Sequence, residues 1–276
     1  MELGKIQSLE IVKEVEFGVY LSRPGDSAEQ VLLPKKQVPE GARTGDELEV
    51  FLYKDSQDRL IATTTEPLIT LGGIARLRVK EVTKIGAFLD WGLPKDLLLP
   101  FRQQTRKVQT GDECLVALYT DKSDRLCATM NVYEYLALDS PYRKDDHVKG
   151  TIYQISENFG AFVAVDDRWS GLIPKREFYG EAKIGDRVEA RVTAVKRDGK
   201  LDLSLREKAY LQSAGDAERV MQVLEEYGGE MPFSDRTSPE IIKEKFSMSK
   251  NAFKRAVGHL LKEERIDISK DSIWKK

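Results

Sequence analysis

The chain has 276 residues, 33% charged and 41% hydrophobic, with a formal charge of −2. That balance excludes a global electrostatic pull toward nucleic acid, so a basic binding surface must be local. No run approaches the ~18 apolar residues of a membrane span, and the opening MELGKIQSLEIVKEVEF holds no long apolar stretch of the secretory kind, so the expected compartment is the cytoplasm, with no membrane partner.

Cys114 and Cys127 are the two cysteines, too few for a disulfide scaffold, and His147 and His259 lie far from each other and from any cysteine pair. No P-loop, GxSxG elbow or HExxH occurs. The expectation is a protein without metal, cofactor or catalytic residues.

Length alone suggests about two domains of ~150 residues. Self-comparison gives a smaller unit, repeated three times. The first copy holds EFGVYLS, VLLP and TGDELEVFLYKDSQDRLIATT. The second holds KIGAFLDWG, LLLP and TGDECLVALYTDKSDRLCATM, and the third NFGAFVAV, GLIP and IGDRVEARVTAVKRDGKLDLSLR. Gly18, Gly86 and Gly160 align, as do Pro34, Pro100 and Pro174, and the Gly-Asp pairs starting at 45, 111 and 185.

Within a copy the apolar residues alternate. Val148, Gly150 and Ile152 share one face, then Val188, Ala190 and Val192, then Leu201, Leu203 and Leu205. Asp198-Gly199 marks a hairpin between the last two strands, and Asp55 to Asp58 and Asp121 to Asp124 fill the same slot in the other copies. Five short strands in about 70 residues suit a small OB-type barrel; a two-layer sandwich wants about seven strands and ~100 residues. Cys114 aligns with Leu48 and Val188 and reads as a buried free thiol. Cys127 aligns with Ile61 and Asp202, which leaves its side open.

In the third copy Ala161, Val163 and Val165 fit the barrel interior, so Phe162 faces out. Alternation alone puts Phe159 inside with Ala161; a bulge at Gly160 turns it outward. Asp202, Ser204 and Arg206 alternate against the leucines and also face out, as does Tyr153. Trp91 and Trp169 each follow the aromatic strand, and either extends a stacking face or packs between modules.

After Leu205-Arg206 the period becomes helical. Asp216 caps a helix through AERVMQVLEEYGG, ended by Gly228-Gly229. Ser238-Pro239 starts a second helix, with Ile241, Ile242 and Phe246 as its apolar side. After the turn Ser247-Met248-Ser249, a third helix carries Ala252, Phe253, Ala256, Val257, Leu260 and Leu261 at core spacing. Residues 266–268 and 272–274 read as two short strands. Three helices and a β-ribbon describe a winged helix with a helix-turn-helix inside it. Lys250, Asn251, Lys254, Arg255, His259 and Lys262 lie on the exposed side of the third helix, as a nucleic-acid contact, a protein-docking face or a solvated basic face.

The third copy resembles the S1 RNA-binding domain in GTIYQI, NFGAFVAV, SGLIP and LDLSLR, in that order. The resemblance implies that Phe159 and Phe162 lie on the outer sheet face and stack bases, joined by Asp202 and Arg206 on the last strand. It departs where Pro174 stands in a slot that S1 domains often fill with histidine. Copy one keeps Phe17 and Tyr20 but has Ile61 and Thr65 on its last strand. Copy two has Ile85, Phe88, Cys127 and Asn131. Copy three is therefore expected to bind best.

The whole chain resembles the conserved virulence factor B family of bacteria, through the DRLIAT and DRLCAT hairpins and SPEIIKEKFSMSKNAFKRAVGHLLKEERIDI. The resemblance implies a cytoplasmic RNA-binding protein that regulates gene expression. The expected fold is mostly β with a C-terminal α+β module. S1-like OB barrels occupy 1–66, 67–139 and 140–210, and a winged helix 211–276. The expected ligand is single-stranded RNA; duplex DNA bound by the winged helix, or a ribosome-associated scaffold, are the alternatives.

Overall fold

The computed structural model describes residues 1–178, 182–205 and 209–276, and the side chains of these except 27 and 209–214. The chain divides into two compact units, Met1–Leu205 and Arg206–Lys276.

The first unit holds three five-stranded barrels. The first is built of β1 (Ile6–Val15), β2 (Gly18–Arg23), β3 (Asp26–Pro34), β4 (Glu47–Lys54) and β5 (Leu60–Thr63). It closes in the order β1-β2-β3-β5-β4, with β3 and β5 parallel and the other pairs antiparallel. The third repeats this plan with β11 (His147–Ser156), β12 (Gly160–Val165), β13 (Trp169–Pro174), β14 (Arg187–Val195) and β15 (Leu201–Ser204), again closed by one parallel pair. In the second, β6 (Ile74–Val82), β7 (Gly86–Asp90), β8 (Leu97–Pro100), β9 (Glu113–Thr120) and β10 (Leu126–Thr129) run β10-β9-β6-β7-β8, without ladder bonds joining β10 to β8. These are OB-type barrels, as the repeat predicts.

The three aligned glycines share one cause. Gly18, Gly86 and Gly160 open the second strand of each barrel with positive φ, and a Cβ there would lie 2.2–2.3 Å from the carbonyl oxygen of Leu33, Leu99 or Ile173 on the next strand. Only glycine permits so close a backbone approach. The hairpins before the last strands also share a plan. Asp58, Asp124 and Gly199 take left-handed backbone, and the Asp55 and Asp121 carboxylates accept from the backbone amides of residues two and four positions on.

A third repeated device was not visible in the sequence. In the turn after the third strand of each barrel, Gln37, Gln103 and Glu177 latch the end of the last strand. Gln37 Oε1 accepts from the Thr64 hydroxyl at 2.9 Å, Gln103 Oε1 from the Thr129 hydroxyl at 2.7 Å, and Glu177 Oε2 from the Ser204 hydroxyl at 2.9 Å.

The barrels pack directly on one another. Phe51 and Tyr53, on β4, bury against Trp91 of the second barrel, with ring centroids 5.8 and 6.2 Å away in edge-to-face geometry. Trp91 is therefore a packing residue between modules. Trp169 is partly buried within the third barrel, edge-on to Tyr142 at 5.6 Å, with the Arg168 guanidinium 5.1 Å from its ring. Leu115 and Ala117 of β9, with Val132 and Leu136, bury against Tyr153 and Ala164 of the third barrel. An ion pair flanks this junction: Arg76 Nε donates to Asp167 Oδ2 at 2.6 Å, and Thr151 bridges the two residues.

Both cysteines are buried free thiols: Cys114 belongs to the core of the second barrel, whereas Cys127 lies on the strand face opposite Ala128, paired with Tyr119 across the ladder, and is covered there. Burial pushes both thiols up to about 11.

The second unit contains α1 (Ala209–Glu226), β16 (Glu230–Met231), α2 (Pro239–Phe246), α3 (Lys250–Lys262), β17 (Ile266–Ile268) and β18 (Ile273–Lys275), the strands ordered β16-β18-β17. Its core takes Val220, Val223 and Leu224 from α1, Ile242 and Phe246 from α2, and Phe253, Ala256, Val257 and Leu260 from α3. This is the expected winged helix, with two corrections. Asp216 lies inside α1, which begins upstream at Ala209, so it caps nothing. Ile241 is exposed, because Ile242 and Phe246, one turn apart, supply the buried stripe. The ends follow the sequence signals. The amides of Gly229 and Gly228 bond to the carbonyls of Leu224 and Glu225, a Schellman pair. The Ser238 and Ser249 hydroxyls accept from Ile241 and Ala252 N–H. Among the described residues, no helix is long and apolar enough to cross a membrane and no cluster of His, Cys, Asp or Glu could hold a metal ion.

Candidate nucleic-acid interface

In the third barrel, register builds the outer face. Phe162 on β12 pairs with Gln154 on β11 and Leu172 on β13, and Leu172 pairs with Asp202 on β15. Since side chains alternate across a strand, these four share the barrel exterior. Ala161, Val163 and Val165, on the opposite face, are buried. The expected outward side of Phe162 is thus where the structure places it, on the same row as Asp202.

Phe159 is 62% exposed. The reason differs from the expected bulge at Gly160. Phe159 precedes β12, in the turn that joins it to β11, and so escapes strand alternation altogether. Its ring stands 6.5 Å from that of Phe162 at an interplanar angle of 61°. Lys175 directly follows β13, its amide bonded to the Phe159 carbonyl at 2.9 Å, and its side chain is exposed, as is that of Arg176. These two basic residues were missed in the sequence, although Lys35 and Lys36 fill the same slots in the first copy.

The bulge exists elsewhere. The ladder between β11 and β12 slips between Ile152 and Gln154, and the extra residue is Tyr153. Tyr153 points out of its own barrel as expected, yet it is only 4% exposed, because β9 and the chain following β10 cover it. The expectation that it forms an RNA platform is corrected on that ground. Burial also drives its hydroxyl pKa far above the usual phenol value. Its ring lies 6.2 Å from Phe162, so Phe162 has one flank against the inter-barrel junction and one toward solvent.

Asp202 Oδ1 pairs with Lys196 Nζ at 3.0 Å. Arg206 lies outside the described residues. In the first barrel Phe17 is exposed, and its ring is 6.5 Å from Tyr20 at 82°, the same arrangement as in the third. The second barrel has exposed Ile85 and half-buried Phe88 in these places. On α3, Asn251, Lys254, Arg255 and Lys262 are exposed and Lys250 is half-buried. Lys254 Nζ stands 4.0 Å from Asp235 Oδ2, and His259 Nε2 3.3 Å from Glu263 Oε1.

Residues 3–65 and 71–131 match the S1 domain family, residues 135–207 the family described as virulence regulatory factor CvfB, second domain, and residues 218–274 the CvfB-like winged helix domain. The chain is 33% identical over 275 residues to Bacillus subtilis protein YitL, covering 96% of this chain and 91% of that protein. It is 31% identical over 282 residues to conserved virulence factor B of Staphylococcus haemolyticus, covering 98% and 93% respectively. A solved structure, described as a multidomain protein with nucleic acid binding domains from Streptococcus pneumoniae, aligns with a TM-score of 0.52 at 26% identity, over 99% of this chain and 98% of that one.

Proposed function

From the premise that the chain belongs to the conserved virulence factor B family, we propose that it binds single-stranded RNA through its third barrel and acts on gene expression after transcription. The observation that carries this reading is the Phe159–Phe162 pair. An exposed ring and a half-exposed ring, 6.5 Å apart on a sheet face bordered by exposed Lys175 and Arg176, offer platforms for unstacked bases beside charge for phosphate. Base–aromatic stacking contributes about 1–3 kcal/mol per base. Duplexes keep their bases stacked and paired, which is why the single strand fits.

Direct packing of neighbouring barrels supports a multivalent mode. A strand held on one barrel sees its neighbour at high effective concentration. The first barrel, with Phe17 and Tyr20 but Ile61 and Thr65 on its last strand, contributes less. The exposed Asn251, Lys254, Arg255 and Lys262 of α3 support phosphate contact by the winged helix, and a duplex DNA ligand is the second reading. Ultraviolet crosslinking in cells with recovery of bound RNA and mapping of the crosslinked peptides tests the proposal. Crosslinks at the peptide carrying Phe159 and Phe162 are expected; recovery of duplex DNA on α3 peptides alone would favour the second reading.

A further inference from the structure

The second barrel carries a pocket of about 380 Å³, lined by Gln103, Tyr119, Asn131, Tyr133 and Tyr135 together with Thr129 and Glu134. That volume lies in the range of small-ligand sites, about 300–1,000 Å³. Ile85 and Asn131 stand in the second copy where the third has Phe159 and Arg206, so this cluster is not a repeat of the third barrel's aromatic pair. Tyr133 and Tyr135 sit in a short turn, Tyr133–Tyr135, directly after β10. Val132 and Leu136 on either side of that turn are buried in the junction with the third barrel, which fixes where the tyrosines stand.

Three features give the pocket its chemistry. Tyr133 is 48% exposed and Tyr135 half-buried, so one ring is open and the other is set in the wall. Gln103 Oε1 accepts from the Thr129 hydroxyl at 2.7 Å and from Asn131 Nδ2 at 3.3 Å, which holds the Asn131 amide at the pocket with its own carbonyl oxygen available. Lys200, from the hairpin of the third barrel, stands with Nζ 5.8 Å from the Tyr133 ring centroid and pairs with Asp198 at 2.8 Å. Glu134 decides between phosphate and base. Its carboxylate disfavours a phosphate inside the pocket and accepts from the exocyclic amines of bases.

The pocket adjoins the third barrel through Lys200, beside the Tyr133 ring, and through Tyr135, which packs on the inter-barrel cluster. Tyr135 and Phe162 pack on the same buried cluster, of which Tyr153 is a member. Phe159, Phe162 and Tyr153 follow one another at 6.5 and 6.2 Å. We propose that this pocket, completed by Lys200, takes one unstacked base of an RNA strand that continues from the Phe159–Phe162 face, so that the second barrel reads the strand beside its sheet face. This rests on the third barrel holding RNA, and the test separates the two.

The test uses the full chain and fluorescence anisotropy with labelled single-stranded RNA of two lengths, about four nucleotides to cover the third barrel alone and about twelve to reach the pocket. Tyr133→Ala is expected to weaken the longer RNA at least about fivefold, the floor for one lost stack, and to leave the shorter unchanged, while Tyr133→Phe restores the wild-type value. Phe159→Ala is expected to weaken both lengths. If Tyr133→Ala leaves the longer RNA unchanged while Phe159→Ala weakens it, the pocket proposal falls and the third-barrel reading stands. If Tyr133→Ala weakens both lengths equally, the pocket proposal also falls, because the effect is then on the junction. If Phe159→Ala changes neither length, the third-barrel reading falls and the continuous strand with it.

Discussion

Phe17 and Tyr20 in the first barrel and Phe159 and Phe162 in the third hold the same relationship: ring centroids 6.5 Å apart, the first ring in an exposed turn and the second on the sheet. The geometry repeats while the last strand differs, Ile61 in one and Asp202 in the other. Phe17→Ala is therefore expected to lower RNA affinity by less than Phe159→Ala, within about threefold of wild type against fivefold or more. Titration of both variants against one RNA checks this, and equal losses would show that the last strand contributes nothing.

Tyr153 joins two barrels. Tyr153→Ala removes a ring buried between them and should cost about 3–5 kcal/mol, the usual range for deleting a buried aromatic. Denaturant unfolding should show a lower midpoint, with a second transition if the third barrel uncouples. Tyr153→Phe should stay within about 1 kcal/mol of wild type, since the buried hydroxyl makes no well-formed hydrogen bond. A large loss in the phenylalanine variant would show a bond that the geometry does not.

Stability should fall in alkali. The thiols of Cys114 and Cys127 are raised by burial to about 11. A group raised on folding stabilises fully below its unfolded pKa, about 8.5 for cysteine, and that contribution disappears as pH rises through the folded value. Unfolding midpoints should hold to about pH 8.5 and decline toward 11, as both thiols ionise more readily in the unfolded chain than in the folded one. Burial raises Tyr53, Tyr119, Tyr135 and Tyr153 as well, which extends the decline above about pH 10. Cys114→Ala with Cys127→Ala should flatten the first part of the curve; an unchanged curve would refute the assignment to the thiols.

Charge on α3 has a salt signature. If Lys254 and Arg255 meet phosphate, Lys254→Glu with Arg255→Glu should reduce the slope of log affinity against log salt by about 1.4, two contacts at ~0.7 each on a single strand. An unchanged slope would leave α3 as a solvated or protein-facing helix.

Much of this was legible in the sequence because the signals are local. Gly18, Gly86 and Gly160 mark close backbone approach, Gly228-Gly229 ends a helix, and period-two leucines locate the barrel interiors. What stayed hidden depends on packing between copies. Nothing in GTIYQI tells that Tyr153, outward from its own barrel, meets Leu115 and Ala117 of another. The side of Phe159 was ambiguous because alternation applies only inside a strand, and the residue lies in the turn. The latches of Gln37, Gln103 and Glu177 join residues 26 or 27 positions apart and show in no short pattern.

The most direct test of RNA stacking on the third barrel is the affinity of Phe159→Ala for single-stranded RNA at fixed salt, beside its thermal midpoint. Phe159 is exposed and outside the strands, so the midpoint should not move. The account predicts an unchanged midpoint with affinity reduced about fivefold or more. Wild-type affinity in a variant that folds normally would contradict it.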